Sequence, residues 1–259
     1  MTESENFVGV IQARMMGKRL PGKVMADIVG KPMIWHIVQR LKNSKTLSNV
    51  VISTTNKEYD KPLCEYAESE NIPYYAGSEN DILDRLYHTG KKFNATTIVK
   101  INADCPLIDP KLVDIAIKKY ESTEPKPDLI INSSKKSYPM GLGYGVINFQ
   151  TISSLWNDLT NPFWREYIYM YIIENKNNYS VIEIENDKDM SNFRWTVDYQ
   201  EDLEFVRVVF QNLYTEHKIF GMSEILELLN EKPEISRINS KYDSKDGIRW
   251  YESLKSKYG

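Results

Sequence analysis

At 259 residues the chain is long enough for one fairly large α/β domain with an appended substructure, or for two small domains. A net charge of -3 and a pI near 5.8 argue against a general nucleic-acid binder, which normally carries a basic face to meet phosphate backbones. With two cysteines, Cys64 and Cys105, and three dispersed histidines, His36, His88 and His217, a disulfide scaffold, a cysteine-rich zinc site and a histidine metal cluster all lose support.

The opening MTESENF is polar and acidic, without the basic and apolar regions of a leader, and no apolar run approaches the ~18 residues of a membrane span. A cytoplasmic location without a membrane partner is therefore expected. Apolar runs then alternate with amphipathic stretches, the pattern of βα units over a mostly parallel sheet. Strands are predicted at Val8–Gln12, Val50–Thr54 and Thr97–Asn102, each rich in β-branched residues, with helices at Met33–Asn43, Lys57–Glu70 and Ile82–Phe93. Thr55-Asn56 and Asn80-Asp81 offer caps for the last two helices. Shorter strands are predicted at Ile72–Tyr75 and at Asp128–Asn132, the latter after the break EPKP. Together they form a Rossmann-like, doubly wound sheet, so the loops after Ile11, Ile52 and Ile101 should share one crevice at the carboxyl ends of their strands.

From Ser133 to Met190 the texture changes to many Tyr, Trp and Asn residues, which predicts a smaller lobe within a single domain spanning 1–259. A helix is expected at Tyr167–Glu174 after the break Asn161-Pro162, and a strand at Tyr179–Ile184. Phe193–Val197 reads as a strand and Tyr199–Tyr214 as an amphipathic helix with Glu201 and Asp202 in its first turn. The tail after Lys232 reads as charged and irregular.

The segment from Val8 to Arg40 is the most informative. The run Phe7 to Ile11 breaks at Gln12 into a loop carrying Arg14, Lys18, Arg19 and Lys23 with Gly17 and Gly22. A strand that ends in a glycine-bearing basic loop offers backbone N–H groups and charged donors to a polyphosphate. A solvated basic loop is the competing reading. The loop fits neither GxxxxGK[ST] nor GxGxxG, which removes support from a P-loop kinase and from a dinucleotide-binding dehydrogenase. Asp104 in KINADCPLIDP and Asp198 in RWTVDYQEDLEF each stand at a predicted strand end, where a carboxylate can hold a hard cation while substrate phosphates complete the shell. Asp104 alone is more often a turn former, as is Asp109 before Pro110, and Asp202 reads as a first-turn helix residue.

IQAR, RLPGK and GKPMI, in that order and spacing, resemble the N-terminal signature of the cytidylyltransferase group of nucleotidyltransferases, with the SpsF-like spore-coat-polysaccharide type nearest in pattern. Relatives in that group join CMP to Kdo or to sialic-type acids. The resemblance covers most of residues 7–210 and implies a GT-A-like nucleotidyltransferase fold, with an acceptor-binding lobe at 133–190 that pairs two chains as a homodimer. It implies that the loop wraps the triphosphate of CTP through Gln12, Ala13, Arg14, Gly17, Arg19 and Lys23. The NADCPLI box resembles the family's GDCPLI, and VDYQEDL resembles its later V-D-x-x-x-D-L, which implies Asp104 and Asp198 as ligands of a catalytic Mg²⁺. GSENDILDRLY resembles GSENDVLDRY, which implies nucleoside contacts from Ser78, Asn80, Asp81 and Arg85, with Ser53 and Thr54 lining the base pocket and Asn102 beside the nucleotide. The implied catalytic set is Arg14, Lys23, Asp104 and Asp198.

Two departures fall on the acceptor side. The family's P-x-G-x-D-x-E appears as Pro139 to Gly145 with glycine at 143 and 145 in place of both acids, and its R-E-H appears as Arg165, Glu166 and Tyr167. Loss of two carboxylates suits an acceptor with more negative charge, because like charges repel in a desolvated pocket. Acceptor contacts are expected from Lys100, Tyr138, Gly141, Tyr144, Arg165 and Glu166, with Trp164, Lys135 and Lys136 as further candidates; Arg165, Lys135 and Lys136 read at least equally as surface charges, and Tyr138, Tyr144 and Trp164 more often as core or interface packing. The expected reaction is CMP transfer from CTP to a sugar acid, phosphate or phosphonate in surface polysaccharide or related biosynthesis. A nucleotidyltransferase using GTP or UTP with a sugar phosphate, and a non-catalytic nucleotide-binding protein, stand as alternatives.

Overall fold

The first apolar run forms an interior strand of the sheet. In the computed structural model, which describes residues 5–133, 137–216, 218–242 and 246–259, β1 (Phe7–Gln12) is buried on both faces and therefore reads as an unbroken apolar run. A two-residue hairpin, β2 (Asp27–Ile28) with β3 (Lys31–Pro32), leads into α1 (Met33–Lys42). The βα units continue as β4 (Asn49–Thr55), α2 (Lys61–Ser69), β5 (Tyr74–Gly77), α3 (Ile82–Lys92), β6 (Thr97–Asn102) and α4 (Pro110–Glu121). Then come β7 (Leu129–Ile131), β8 (Gly145–Asn148), α5 (Phe149–Asp158), α6 (Pro162–Glu166), α7 (Ile168–Glu174) and β9 (Val181–Glu183). Helices α8 (Gln200–Leu213), α9 (Met222–Glu231) and α10 (Asp246–Tyr258) follow.

The seven-stranded sheet has the order β5-β4-β1-β6-β8-β7-β9, and β8 runs against its neighbours β6 and β7. Because side chains alternate along a strand, Ile11, Ile52, Val99 and Ile101 join the core built with α1, α2, α4 and α8. Val8, Val10, Val51 and Ile98 join the opposite core, built with α3, α5 and α7. The chain leaves β1 toward β4 and β5 on one side and returns to β6 on the other, so the crevice opens at this reversal. Ala13 N donates to Ser53 O and Ala103 N to Gln12 O, both at 3.0 Å, and these bonds hold the ends of β4, β1 and β6 side by side.

Several predicted elements differ. Phe193–Val197 is not a strand: Arg194 makes a single bridge with Met140, and the segment's donors go to two loops, Trp195 N to Met140 O (2.7 Å) and Val197 N to Asp104 O (2.8 Å). The strand expected at Ile72–Tyr75 lies two residues later, because Pro73 has no N–H and contributes its carbonyl to Ile52 N at 2.9 Å. The segment 133–190 places β8 and β9 in the central sheet itself and α5, α6 and α7 around it. Helices α4, α5 and α9 had no predicted counterpart. Asp109, read as a turn former, caps α4 through Lys111 N at 2.9 Å and also accepts from Met222 N at 2.8 Å. The tail expected to be irregular carries α10, docked on α7 where Tyr251 and Lys255 reach the two oxygens of Glu174 at 2.8 and 2.7 Å. His36 is a packing residue, its Nε2 2.7 Å from Ile28 O. Lys135, Lys136 and His217 lie outside the described residues.

Candidate active site

The basic loop is shaped by one buried acid that sequence reading did not single out. Asp60, fully buried, accepts from Met15 N and from the Thr55 hydroxyl, so the loop is tied down at Met15 as it leaves β1. Gly17 N and Gly22 N both donate to Met15 O, at 3.1 and 2.7 Å. A Cβ on Gly17 would lie 2.8 Å from Leu20 O, and Gly22 has φ +74, so each glycine is required by the fold of this turn. The turn lifts Lys23 into the crevice, while Arg14 is exposed at its rim without a hydrogen bond or ion pair to a described residue.

Asp104 and Asp198 do converge. Lys23 Nζ lies 3.0 Å from Asp198 Oδ1 and 3.7 Å from Asp104 Oδ2, and also donates to Val197 O. The Asp104 carbonyl accepts from Val197 N at 2.8 Å and from Thr196 Oγ1 at 3.1 Å, which locks the turn after β6 to the segment that carries Asp198. Asp198 also meets Arg19 Nη2 at 2.7 Å and Arg194 Nη2 at 3.3 Å. Burial alone would raise the Asp198 carboxyl, but Lys23, Arg19 and Arg194 outweigh it and hold it below the ordinary value, so it is ionised at neutral pH. Two carboxylates that share one ammonium can likewise share a divalent cation. Among the described residues no group of three or more His, Cys, Asp or Glu side chains could hold a metal, so any ion here would complete its shell with substrate oxygens. Burial pushes the Cys105 thiol well above its ordinary value, with the neighbouring Asp104 adding to the rise, and it is no nucleophile.

Beneath Asp198 lies a network absent from the sequence reading. Arg194 grips Asp202 with two bonds, Nε to Oδ1 at 2.8 Å and Nη2 to Oδ2 at 2.9 Å. Asp202 also accepts from the backbone N–H groups of Asp198 and Tyr199, each at 3.0 Å, and from Asn239 Nδ2 at 3.0 Å. Its expected position in the first turn of α8 is observed, and its carboxylate sets the turn that carries Asp198. The available signal was a lone arginine inside an apolar run four residues before Asp198; Asn239 gave none. Tyr199 stacks on Tyr242 at 3.9 Å and lies under Arg19, whose guanidinium is 5.2 Å from the ring.

On the α3 face the GSEND box builds a cleft of about 500 Å³ lined by Asn56, Tyr75, Ser78, Glu79 and Asn80 among others. Arg85 is buried: Nη1 donates to Ser78 O and Glu79 O, while Nε has no partner. Burial first and the charge of Arg14 second hold its guanidinium below the ordinary value. Half-buried Lys100 donates to Asn102 Oδ1 at 2.9 Å, and the buried Nε2 of Gln12, paired in register with Asn102, has no partner.

Other expected contacts are not assembled in the crevice. Ser53 and Thr54 are fully buried, and the Ser53 hydroxyl meets Thr89 Oγ1 at 3.1 Å, so neither side chain lines a base pocket. Asp81 caps α3 through Asp84 N at 2.9 Å and binds Arg165 Nε at 2.7 Å. Arg165 also holds Trp156 O and Leu159 O, at 3.0 and 2.7 Å, which commits it to packing rather than to an acceptor. Tyr144 is buried in the core, and Tyr138 packs against the same cluster. Gly141, at φ +108, lets the chain cross Trp195, whose carbonyl carbon would be 2.6 Å from a Cβ. Glu166 is exposed at the end of α6.

Known proteins are similar to this chain in sequence and in fold. A spore coat polysaccharide biosynthesis protein of Bacillus subtilis, SpsF, is 27% identical over 232 residues, covering 87% of this chain and 94% of that one. A 3-deoxy-manno-octulosonate cytidylyltransferase of Lawsonia intracellularis is 34% identical over 119 residues, 44% of this chain and 45% of its own. The structure of a cytidylyltransferase from Leptospira borgpetersenii superimposes with a TM-score of 0.85 at 28% identity, covering 90% of this chain and 97% of that one. The family model described as cytidylyltransferase matches residues 8–235, and the chain belongs to that family.

Proposed function

We propose that the chain transfers CMP from CTP to an acidic small-molecule acceptor and releases pyrophosphate. The observation that carries this reading is the meeting of Asp104 and Asp198 on one cation at the mouth of a basic, glycine-shaped loop. The acceptor oxygen forms its bond to the α-phosphorus as the bond from that phosphorus to the oxygen bridging the β-phosphate breaks. Where the nucleophile is a hydroxyl, its proton passes to water. No protein nucleophile is needed, since positioning and charge neutralisation dominate such transfers.

Asp104 and Asp198 fit Mg²⁺, which uses one or two carboxylates with substrate phosphates and, when bound, would neutralise charge at the α-phosphate and attacking oxygen. Lys23, Arg19 and Arg14 supply positive charge for the departing pyrophosphate. Arg194 and Asp202 orient Asp198. A sugar acid, as in the name of the Lawsonia relative, or a phosphate or phosphonate is the acceptor class, and surface polysaccharide or related biosynthesis is the setting. The same reading includes a homodimer paired through 133–190, a cytoplasmic location, and no nucleic-acid or membrane partner. No helix among the described residues is long and apolar enough to cross a membrane.

Pyrophosphate release, measured with each of the four nucleoside triphosphates across sugar acids, phosphonates, sugar phosphates and neutral sugars, should appear with CTP and an acid. Release with UTP or GTP and a sugar phosphate, or preference for a neutral sugar, would overturn the reading.

A further inference from the structure

We infer that Lys100, with the side-chain amide of Gln12 and the guanidinium of Arg85, forms a subsite for the oxyanion of the acceptor, a carboxylate, phosphate or phosphonate group. The inference rests on the CMP-transfer reading above and assigns the part of the acceptor that is held rather than the oxygen that reacts.

Three observations support it. First, Lys100 on β6 pairs in register with Gly145 on β8, so an acid at 145 would stand directly across from its ammonium; here there is no side chain. Nor could one be added without displacing a neighbour, because a Cβ on Gly145 would overlap the ring of Tyr169, whose hydroxyl donates to Gly145 O at 2.9 Å. Second, the ammonium of Lys100 is left with neutral company, Asn102 Oδ1 at 2.9 Å and the face of Tyr169 at 5.1 Å, and it makes no ion pair among the described residues. The acid whose charge reaches it, Asp104, already faces Lys23. Third, two buried donors at this sheet end, Gln12 Nε2 and Arg85 Nε, have no partner. Buried donors without partners are costly, and an oxyanion would satisfy both of them together with the Lys100 ammonium.

The electrostatics agree with the geometry. Burial pulls the Lys100 ammonium down to about 8 against an opposing pull from Asp104, and the charge of Arg85 adds to the fall. An anion docked between them would relieve that repulsion. Asp104 follows the end of β6, the strand that carries Lys100, and Lys23 and Asp198 lie beside it, so an acceptor anchored at Lys100 is held in the same crevice.

The test uses the full chain with Mg²⁺ and a CTP analogue carrying a methylene between the α- and β-phosphorus, which cannot be transferred. Calorimetry then measures binding of two probes, methylphosphonate and 3-deoxy-manno-octulosonate, to the native protein, Lys100→Met and Lys100→Arg. The expected result is that at least one probe binds the native complex and that Lys100→Met weakens it roughly ten- to a hundredfold, the loss of a charge-assisted hydrogen bond. Lys100→Arg should retain most of the affinity, and analogue binding should be unchanged in both variants, which also shows that they are folded. The preferred probe separates a phosphonate-type acceptor from a carboxylate. Equal probe affinity in native protein and Lys100→Met would overturn the inference, as would a matching loss of analogue affinity, which would assign Lys100 to the triphosphate. Failure of both probes to bind a native complex that does bind the analogue would overturn it and leave CMP transfer standing; failure of the analogue to bind would remove the CMP-transfer reading and the subsite with it.

Discussion

Asp104→Ala should abolish turnover while leaving the fold intact. The side chain is 29% exposed, and its ion pair, to Lys23, is long at 3.7 Å, so its removal costs little packing and leaves one ammonium still bound by Asp198. What is lost is one of two carboxylates that can hold a divalent cation against the transferred phosphate. Removing such preorganised charge stabilisation should lower the rate on the order of a thousandfold or more, about 4 kcal/mol in the barrier. Steady-state kinetics with saturating Mg²⁺, alongside a thermal melt, checks both halves. Near-native turnover would remove Asp104 from the chemistry. Asp198 is the poorer choice for the same experiment, because its side chain is 7% exposed and faces Arg19, Lys23 and Arg194; its loss would leave three cations crowded together.

Asp202→Ala should destabilise the protein by about 3–5 kcal/mol, the usual cost of breaking a buried ion pair by removing one member. The carboxylate is fully buried and accepts from Arg194, Asn239 and two backbone N–H groups, all of which would be left without it. For a chain of this size that corresponds to roughly 10 °C in Tm. Turnover should fall as well, since Arg194, already 3.3 Å from Asp198 Oδ2, would move its free charge onto that carboxylate. Asp202→Asn should recover part of the stability by keeping one acceptor oxygen for the backbone. Chemical denaturation of the two variants tests this order, and equal stability of Asp202→Ala and the native chain would show that the network is dispensable.

The half of the molecule built from local signals was legible. β1, β4 and β6 are short runs rich in β-branched residues and mostly buried, and such runs announce themselves without tertiary information. The basic loop and Asp104 were legible for the same reason, each lying just past the end of a strand, whereas the strand expected before Asp198 is replaced by a single bridge at Arg194. Strand alternation accounts for Ser53, which lies two residues from Val51 and so faces the same core, where it is buried. β8 was not legible because a strand opening on glycine after a proline-bearing loop is made by its antiparallel partners β6 and β7, not by its own composition. The clamp on Asp198 was hidden by distance, since Asn239 lies 37 residues from Asp202 in sequence, and Asp60 holds Met15 across 45. Arg165 looked free for an acceptor only because its partners Asp81 and the end of α5 could not be seen from its own neighbourhood.

The central claim is that this crevice is a CTP site organised by the Asp104 and Asp198 pair. Calorimetric titration of the native chain with CTP, UTP, GTP and ATP, with Mg²⁺ and again with the ion chelated, tests it most directly. CTP should bind more tightly than the other three, and chelation should weaken it; Asp104→Ala should bind CTP at the chelated level and no longer respond to Mg²⁺. Binding that is equal across the four nucleotides and indifferent to Mg²⁺, or no nucleotide binding at all, would contradict the claim.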